Sequence, residues 1–257
     1  MQVKRLIVCF FSSLLLLSQT QTFAAECSAK TSSKTIPLLE LYTSEGCSSC
    51  PPADKWISKI QHNKSEVTPL AFHVDYWDYI GWKDLFSKAE YSDRQRKTAA
   101  FGGAGFVYTP QFVFNGRDFK GWDNSRLKSA VNQTQQLASR ANLTLNAVNE
   151  ADGSITLIAN AESLNPKVTK NADVFVALYE NGLTTQVKAG ENNGRELKHD
   201  YVVRQLFGAY QLNHQHQFSK HFTLSNTWKN KEAGAVIFVQ DSINGEIIQS
   251  LALDFCS

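Results

Sequence analysis

The stretch Cys47-Ser48-Ser49-Cys50 constrains this chain more than any other. It sets two cysteines one helical turn apart, between an apolar run, Ile36 to Tyr42, and a helix-like segment, Pro51 to Ile60. Thiolate chemistry needs a lowered pKa and a second sulfur within reach. The first turn of a helix offers both: free N–H groups and the helix dipole act on the first sulfur, and (i, i+3) spacing brings up the second. Pro51 and Pro52 suit a first turn, where no intrahelical N–H bond is lost. Ala53, Trp56, Ile57 and Ile60 then repeat at the spacing of one buried helix face. The pattern predicts a redox-capable pair, with Cys47 the attacking thiolate at the exposed end and Cys50 the shielded resolving thiol. A zinc half-site and a closed structural disulfide are the competing readings. A structural zinc site usually takes four ligands, and the other cysteines, Cys9, Cys27 and Cys256, form no second C-x-x-C.

The amino-terminal segment bears on compartment. Lys4 and Arg5 precede a largely apolar run from Leu6 to Leu17 and a polar stretch that ends at Thr22-Phe23-Ala24. This reads as a secretory signal peptide over residues 1–24, with cleavage after Ala24, and predicts a periplasmic or secreted protein. Cys9 leaves with that segment, and Glu26 before Cys27 argues against a lipid anchor. Without Lys4 and Arg5 the 26 basic residues become 24, equal to the 24 acidic ones, so nothing electrostatic points to nucleic acid or an anionic membrane. In an oxidising compartment Cys27 and Cys256 are a natural structural pair once Cys47 and Cys50 are assigned to each other; one of them as a buried free thiol is the alternative. Closing so large a loop is worth on the order of 4–5 kcal/mol on the chain-entropy model.

The texture changes near Asn142. Before it, strand-like Ile36 to Tyr42, Val67 to Tyr76 and Tyr108 to Asn115 alternate with helix-like Pro52 to Gln61 and Lys83 to Phe101. Asn115-Gly116 marks a turn, and Asp123 caps a further helix through Leu127, Val131 and Ala138. This order predicts an α/β domain over residues 34–141. After Asn142 the period becomes two, and Asp152-Gly153, Asn181-Gly182 and Asn244-Gly245 sit between apolar runs as hairpin turns. About seven strands, one of them Leu197 to Val203, predict a mainly-β, sandwich-like domain over residues 142–257.

Two elements of the first half, the C-x-x-C and Tyr108-Thr-Pro-Gln-Phe-Val-Phe-Asn-Gly116, resemble the thioredoxin fold. There a cis-proline opens the strand facing the cysteine pair, which implies that Thr109 and Pro110 position substrate. More narrowly, Glu40-Leu-Tyr-Thr-Ser-Glu-Gly-Cys-Ser-Ser-Cys-Pro-Pro-Ala53, Phe72-His-Val-Asp-Tyr-Trp-Asp-Tyr-Ile-Gly-Trp82, Gly190-Glu-Asn-Asn-Gly194 and His199-Asp-Tyr-Val-Val-Arg204 resemble a family of secreted bacterial thioredoxin-like proteins known only as a domain of unknown function. The resemblance implies an α/β thioredoxin-like domain followed by a mainly-β domain, and supplies no substrate. Thioredoxins carry a tryptophan before the first cysteine and a buried acid six residues before it; here those positions are Gly46 and Leu41, with Glu40 and Glu45 as nearby acids.

Other residues carry weaker signals. Tyr76, Trp77, Tyr79 and Trp82 read as packing aromatics, or as an apolar wall for a peptide. His73 and Asp75 share a strand face and could join Cys47 and Cys50 in a mixed thiolate and imidazole metal site. His214, His216 and His221 read as solvated positions, Asn192 to Arg195 as a loop, and Arg204 as an interface ion pair. The expected function is an exported thiol-disulfide oxidoreductase acting at Cys47 and Cys50 on protein or peptide thiols and disulfides, with Thr109 and Pro110 positioning substrate and with no cofactor or resident metal. The alternative is a non-catalytic binding protein, either a copper carrier using Cys47, Cys50 and His73 or an adhesin-like module using the β-domain.

Overall fold

The structure, a computed structural model, describes residues 25–60, 66–150, 152–224, 228 and 232–256. The expected signal segment, residues 1–24 with Cys9, lies outside the described residues. In chain order the elements are β1 (Ala25–Lys30), β2 (Leu38–Thr43), α1 (Pro51–Ile57), β3 (Thr68–His73), α2 (Ala89–Phe101), β4 (Gln111–Phe114), β5 (Arg117–Asp118) and α3 (Asn124–Thr134). They continue as β6 (Ala141–Asn149), β7 (Ser154–Ser163), β8 (Ala172–Glu180), β9 (Leu183–Gln186), β10 (Glu196–His199), β11 (Val202–Gln211), β12 (Gln215–Thr223), β13 (Ala233–Asp241) and β14 (Ile247–Asp254). Among the described residues no helix is long and apolar enough to cross a membrane.

Eight strands form one sheet in the order β14-β13-β8-β11-β3-β2-β4-β5, and four form a second in the order β1-β6-β7-β12. β2 runs parallel to β3 and antiparallel to β4. The texture change near Asn142 coincides with the start of β6, yet the sheets cross it in both directions. β11 joins β3 through Val202 opposite Ala71, and β1, from the first half of the chain, pairs with β6 along its whole length. β8 and β13 show why the large sheet is continuous. Phe175, Ala177 and Tyr179 face one core with Leu39, Phe72 and Ile57, while Val174, Val176 and Leu178 face the other with Leu143, Leu145 and Leu157. Alternate residues point to opposite faces of a strand, so strands buried on both faces read as unbroken apolar runs rather than as alternation.

Pro69 fits inside β3 for a specific reason. The Ala71 N–H donates to Tyr201 O (2.8 Å) on the β11 side, so the N–H that Pro69 lacks would point the same way, short of where β11 begins pairing. The helix expected from Lys83 begins only at Ala89. Asp84 is tied into the preceding loop instead, accepting hydrogen bonds from the Glu45 N–H (2.8 Å) and the Phe86 N–H (2.9 Å). The single strand expected over Leu197 to Val203 is broken at Tyr201, whose φ of 58° turns the chain between β10 and β11. At the Asn115-Gly116 turn both residues have positive φ, 49° and 77°. A Cβ on Gly116 would overlap the Gly245 carbonyl oxygen, so only glycine lets this turn meet the β13–β14 turn.

Arg94 of α2 is the buried charge that ties these layers together. Its Nε donates to Glu40 Oε1 (2.7 Å) and its Nη1 to Gln240 Oε1 (3.3 Å). Its guanidinium carbon lies 5.6, 5.2 and 4.8 Å from the ring centres of Phe72, Phe175 and Phe238. Arg94→Ala would leave Glu40, which is fully buried, without its counter-charge. The expected loss is about 3–5 kcal/mol in urea denaturation. The apolar pair Arg94→Met with Glu40→Leu is expected to cost less than Arg94→Ala alone, because neither buried charge remains.

Cys27 and Cys256 are disulfide-bonded across 229 residues. Cys27 lies on β1, and Asn149, on the adjoining strand β6, donates to the Cys256 carbonyl. Replacing both cysteines by serine is expected to lower stability by about 4–5 kcal/mol on the chain-entropy model, read as a fall in the denaturation midpoint with the native circular dichroism spectrum retained.

Candidate functional site

β2 ends at Thr43 and delivers the chain into a turn closed by the Cys47 N–H donating to Ser44 O (3.2 Å). The Cys50 N–H donates to Cys47 O (3.2 Å), and Cys50 is the N-cap of α1 with Pro51 and Pro52 in its first turn. Both cysteines were expected on the helix's first turn. Cys47 instead lies ahead of the helix, because the two prolines fix where helical hydrogen bonding begins. The two sulfurs are bonded to each other. Cys47 is 1% exposed and Cys50 0%, so the expectation of an exposed Cys47 beside a shielded Cys50 is corrected. Ser48 and Ser49 are the exposed residues of the motif.

The loop that carries Cys47 is held from two sides. Asn192, in the connection between β9 and β10, donates from Nδ2 to Glu45 O (2.8 Å) and Cys47 O (3.0 Å). Next to it, Glu191 Oε2 accepts from the Ser48 N–H (3.0 Å), and hydrogen bonds from Ser48 hold the Glu191 carboxyl below the usual range. Arg195 Nη1 braces Asn192 Oδ1 (3.0 Å). On the other flank, a Cβ at Gly46 would lie 3.2 Å from Trp77 Cβ and from Ile80 Cδ1. A side chain at Gly46 would therefore have to displace these residues.

Thr109 and Pro110 reach the same place through Trp77. The Thr109-Pro110 bond is cis, and Gln111, next in the chain, pairs with Tyr42 near the end of β2. Trp77 Nε1 donates to Thr109 Oγ1 (2.7 Å). Trp82 Nε1 donates to Glu45 Oε2 (2.8 Å) and Tyr76 OH to Gln95 Oε1 (3.1 Å), while Tyr79 stands in solvent at 83% exposure. Trp77 and Trp82 therefore brace the loops around the cysteines, while Tyr76 is tied to α2.

Beside this loop lies a buried polar cluster. His73 Nδ1 and Asp84 Oδ2 are 2.7 Å apart, and the His73 and His199 rings meet edge to face at 4.9 Å. His199 lies between two carboxylates, with Nε2 3.5 Å from Glu45 Oε1 and Nδ1 3.8 Å from Asp54 Oδ1. Burial works against a charged His199, but Asp54 and Glu45 outweigh it and push the imidazole up to about 10. Burial likewise raises the Asp84 carboxyl, but His73 together with the Glu45 and Phe86 N–H groups outweighs it, leaving it below its ordinary value. Asp54, His73 and His199 place ligand-type atoms within 4.8 Å of one another. No cysteine joins that group. Asp75, the strand-mate expected beside His73, turns away to accept from Ser92 Oγ (2.5 Å). Glu40 belongs to Arg94 and not to the site.

The sequence reading of Asn192 as loop holds but gives it no role, and Glu191 and His199 receive none, although all three lie in the family-like segments Gly190–Gly194 and His199–Arg204. Arg204 pairs with Glu180 of the adjacent strand (2.5 Å) and stacks over Phe86. His216 stacks on Tyr210, and His221 meets Thr156 on the second sheet, both away from the cysteines.

Two solved structures share this fold. One is protein AGR_C_4864 of Agrobacterium tumefaciens, 24% identical, with a TM-score of 0.63 over 86% of this chain and 96% of that one. The other is HBP35 of Porphyromonas gingivalis, 15% identical, with a TM-score of 0.61 over 88% of this chain and 76% of that one. No protein of curated function matches significantly. Residues 38–240 match the family described as "Protein of unknown function (DUF1223)", a span holding the cysteine pair, the cis-proline, the covering loop and the buried cluster, and the chain belongs to that family.

Proposed function

We propose that this chain is an exported thiol-disulfide exchange protein whose first half is a thioredoxin-like unit and whose reactive pair is Cys47 and Cys50. The observation that carries this reading is the convergence of a bonded C-x-x-C ahead of α1 with the Thr109-Pro110 segment at the start of the neighbouring strand β4. The run β3-β2-β4-β5, with β2 parallel to β3 and antiparallel to β4, supports it. The charged and apolar pattern of residues 1–24 and the Cys27–Cys256 bond support export. In the reducing direction the Cys47 thiolate attacks a client disulfide, one client sulfur leaves as thiolate, and Cys50 then attacks the mixed disulfide to release the second and close the pair. The oxidising direction reverses these steps. Thr109 and Pro110 flank the client strand, and no cofactor is needed.

Burial of Cys47 adds a requirement: exchange waits on withdrawal of Glu191 and Asn192. Cys50→Ser is expected to accumulate client proteins linked through Cys47 and released by reductant after acid quenching, and Cys47→Ser to carry few. Absence of trapped clients, together with no exchange between the wild type and a small-molecule disulfide, would refute the reading. Removing the two hydrogen bonds of the Asn192 amide, each worth about 1 kcal/mol net, is expected to speed reduction of the Cys47–Cys50 bond by dithiothreitol. For Asn192→Ala the increase is roughly thirtyfold. An unchanged rate would show that the cover lies elsewhere.

A further inference from the structure

The buried cluster next to the cysteine loop has the composition and the gaps of a metal centre. His73 spends Nδ1 on Asp84, while its Nε2 is buried with no hydrogen-bond partner. His199 has both ring nitrogens buried without a hydrogen bond, within ion-pair range of Asp54 Oδ1 (3.8 Å) and Glu45 Oε1 (3.5 Å), and Glu45 Oε1 has no hydrogen bond either. Orphaned polar atoms in a dry interior are costly, so so many in one place call for an occupant. The 3.8 Å separation is too long for a hydrogen bond, and the 3.5 Å one lies at the outer limit. The 3.8 Å gap is close to the spacing of two ligands on one tetrahedral ion, about 3.4 Å for bonds of about 2.1 Å.

We propose that His73 Nε2, His199 Nδ1 and Asp54 Oδ1 bind one divalent first-row transition-metal ion, with zinc the simplest occupant. Each ligand has an outer partner on its other atom. Asp84 holds His73 Nδ1, Glu45 faces His199 Nε2, and Thr43 Oγ1 donates to Asp54 Oδ2 (3.2 Å). A carboxylate behind each metal-bound histidine fixes its orientation and raises its basicity. Charge argues the same way: Glu45, Asp54 and Asp84 bring three buried carboxyl groups to two imidazoles, and a dication offsets them without further protons. Two imidazoles and a carboxylate suit zinc or its neighbours and disfavour magnesium and calcium, which prefer all-oxygen shells. A cleft of about 500 Å³, lined by Pro51, Lys55, Ser58 and Leu197 together with Asp54 and His199, gives the ion a route in. The site uses no cysteine and does not depend on the exchange reading.

The full chain, disulfides intact, would be unfolded with denaturant and chelator, refolded with zinc, cobalt(II) or magnesium, and desalted. The expected result is one zinc per chain, no magnesium, and a cobalt spectrum with visible ligand-field bands but no thiolate charge-transfer band in the near ultraviolet. Zinc retention should vanish in His199→Gln, weaken about 10- to 100-fold in Asp84→Asn, and survive in the double variant Cys47→Ser, Cys50→Ser. Natively refolded wild type that holds no zinc overturns the proposal. So does a thiolate band with cobalt, or zinc binding that is lost with the cysteines. The cobalt spectrum decides the matter even if His199→Gln fails to fold.

Discussion

A single guanidinium sits where the two halves of the large sheet share a core. Arg94 comes from a helix of the first half, Glu40 from the central strand beneath it, and Gln240, Phe175 and Phe238 from strands that arrive more than seventy residues later. Burying this charge is tolerable only if every partner is in place, since an unmatched ion in a low-dielectric interior costs several kcal/mol. The ion pair is therefore weak as a source of net stability and strong as a selector of arrangement. Packings that bring β13 and β8 elsewhere leave the Arg94–Glu40 pair intact but strip it of the Gln240 hydrogen bond and of the Phe175 and Phe238 rings. The β2 strand that Arg94 holds is the same strand that delivers Cys47, so the position of the reactive loop depends on contacts made by the far half of the chain.

The β9–β10 hairpin extends that dependence to the site itself. Its connecting segment lays Asn192 and Glu191 over the cysteine loop, and its return strand carries His199 into the buried cluster. One small two-stranded element thus touches both the disulfide's cover and the imidazole pair. Glu45 joins the two: its backbone is held by Asn192 and Asp84, and its carboxylate faces His199 and Trp82. Movement of the hairpin away from Cys47 would also shift His199, so access to the sulfurs and integrity of the cluster are mechanically linked.

Much of this is legible in the sequence, and the gaps have physical causes. The Asp123 cap and the Asp152-Gly153 and Asn244-Gly245 hairpin turns are local signals, written in residues close together in the chain, and each lies where local reasoning puts it; Asn181-Gly182 does not close the expected hairpin, because β9 leaves β8 to pair with β10. What local reasoning loses is anything set by distant partners. β1 has little strand propensity of its own and forms because Cys27 faces Ala147 and bonds Cys256. The late start of α2 follows from Asp84 being claimed by His73 and Glu45, contacts invisible to helical periodicity. Burial of Cys47 escapes local reasoning for the same reason, because its loop is anchored from 145 residues away. His199 carried a signal, its place in a quoted family segment, but a lone histidine on a short strand has no chemistry until its carboxylate neighbours are known.

The Cys27–Cys256 bond has one more consequence. It turns the intervening chain into a covalent ring, threaded through both sheets, with β1 laid against β6 and Cys256 tied to Asn149 at the seam. A protease that cuts one surface loop of such a ring opens it without releasing a fragment. The nicked molecule keeps every strand attached, and its pieces separate only when a second cut or a reductant breaks the circuit. In a protease-rich surrounding, a single scission would then convert a ring into a permuted linear chain with new ends at the cut, its sheets still joined across the old seam.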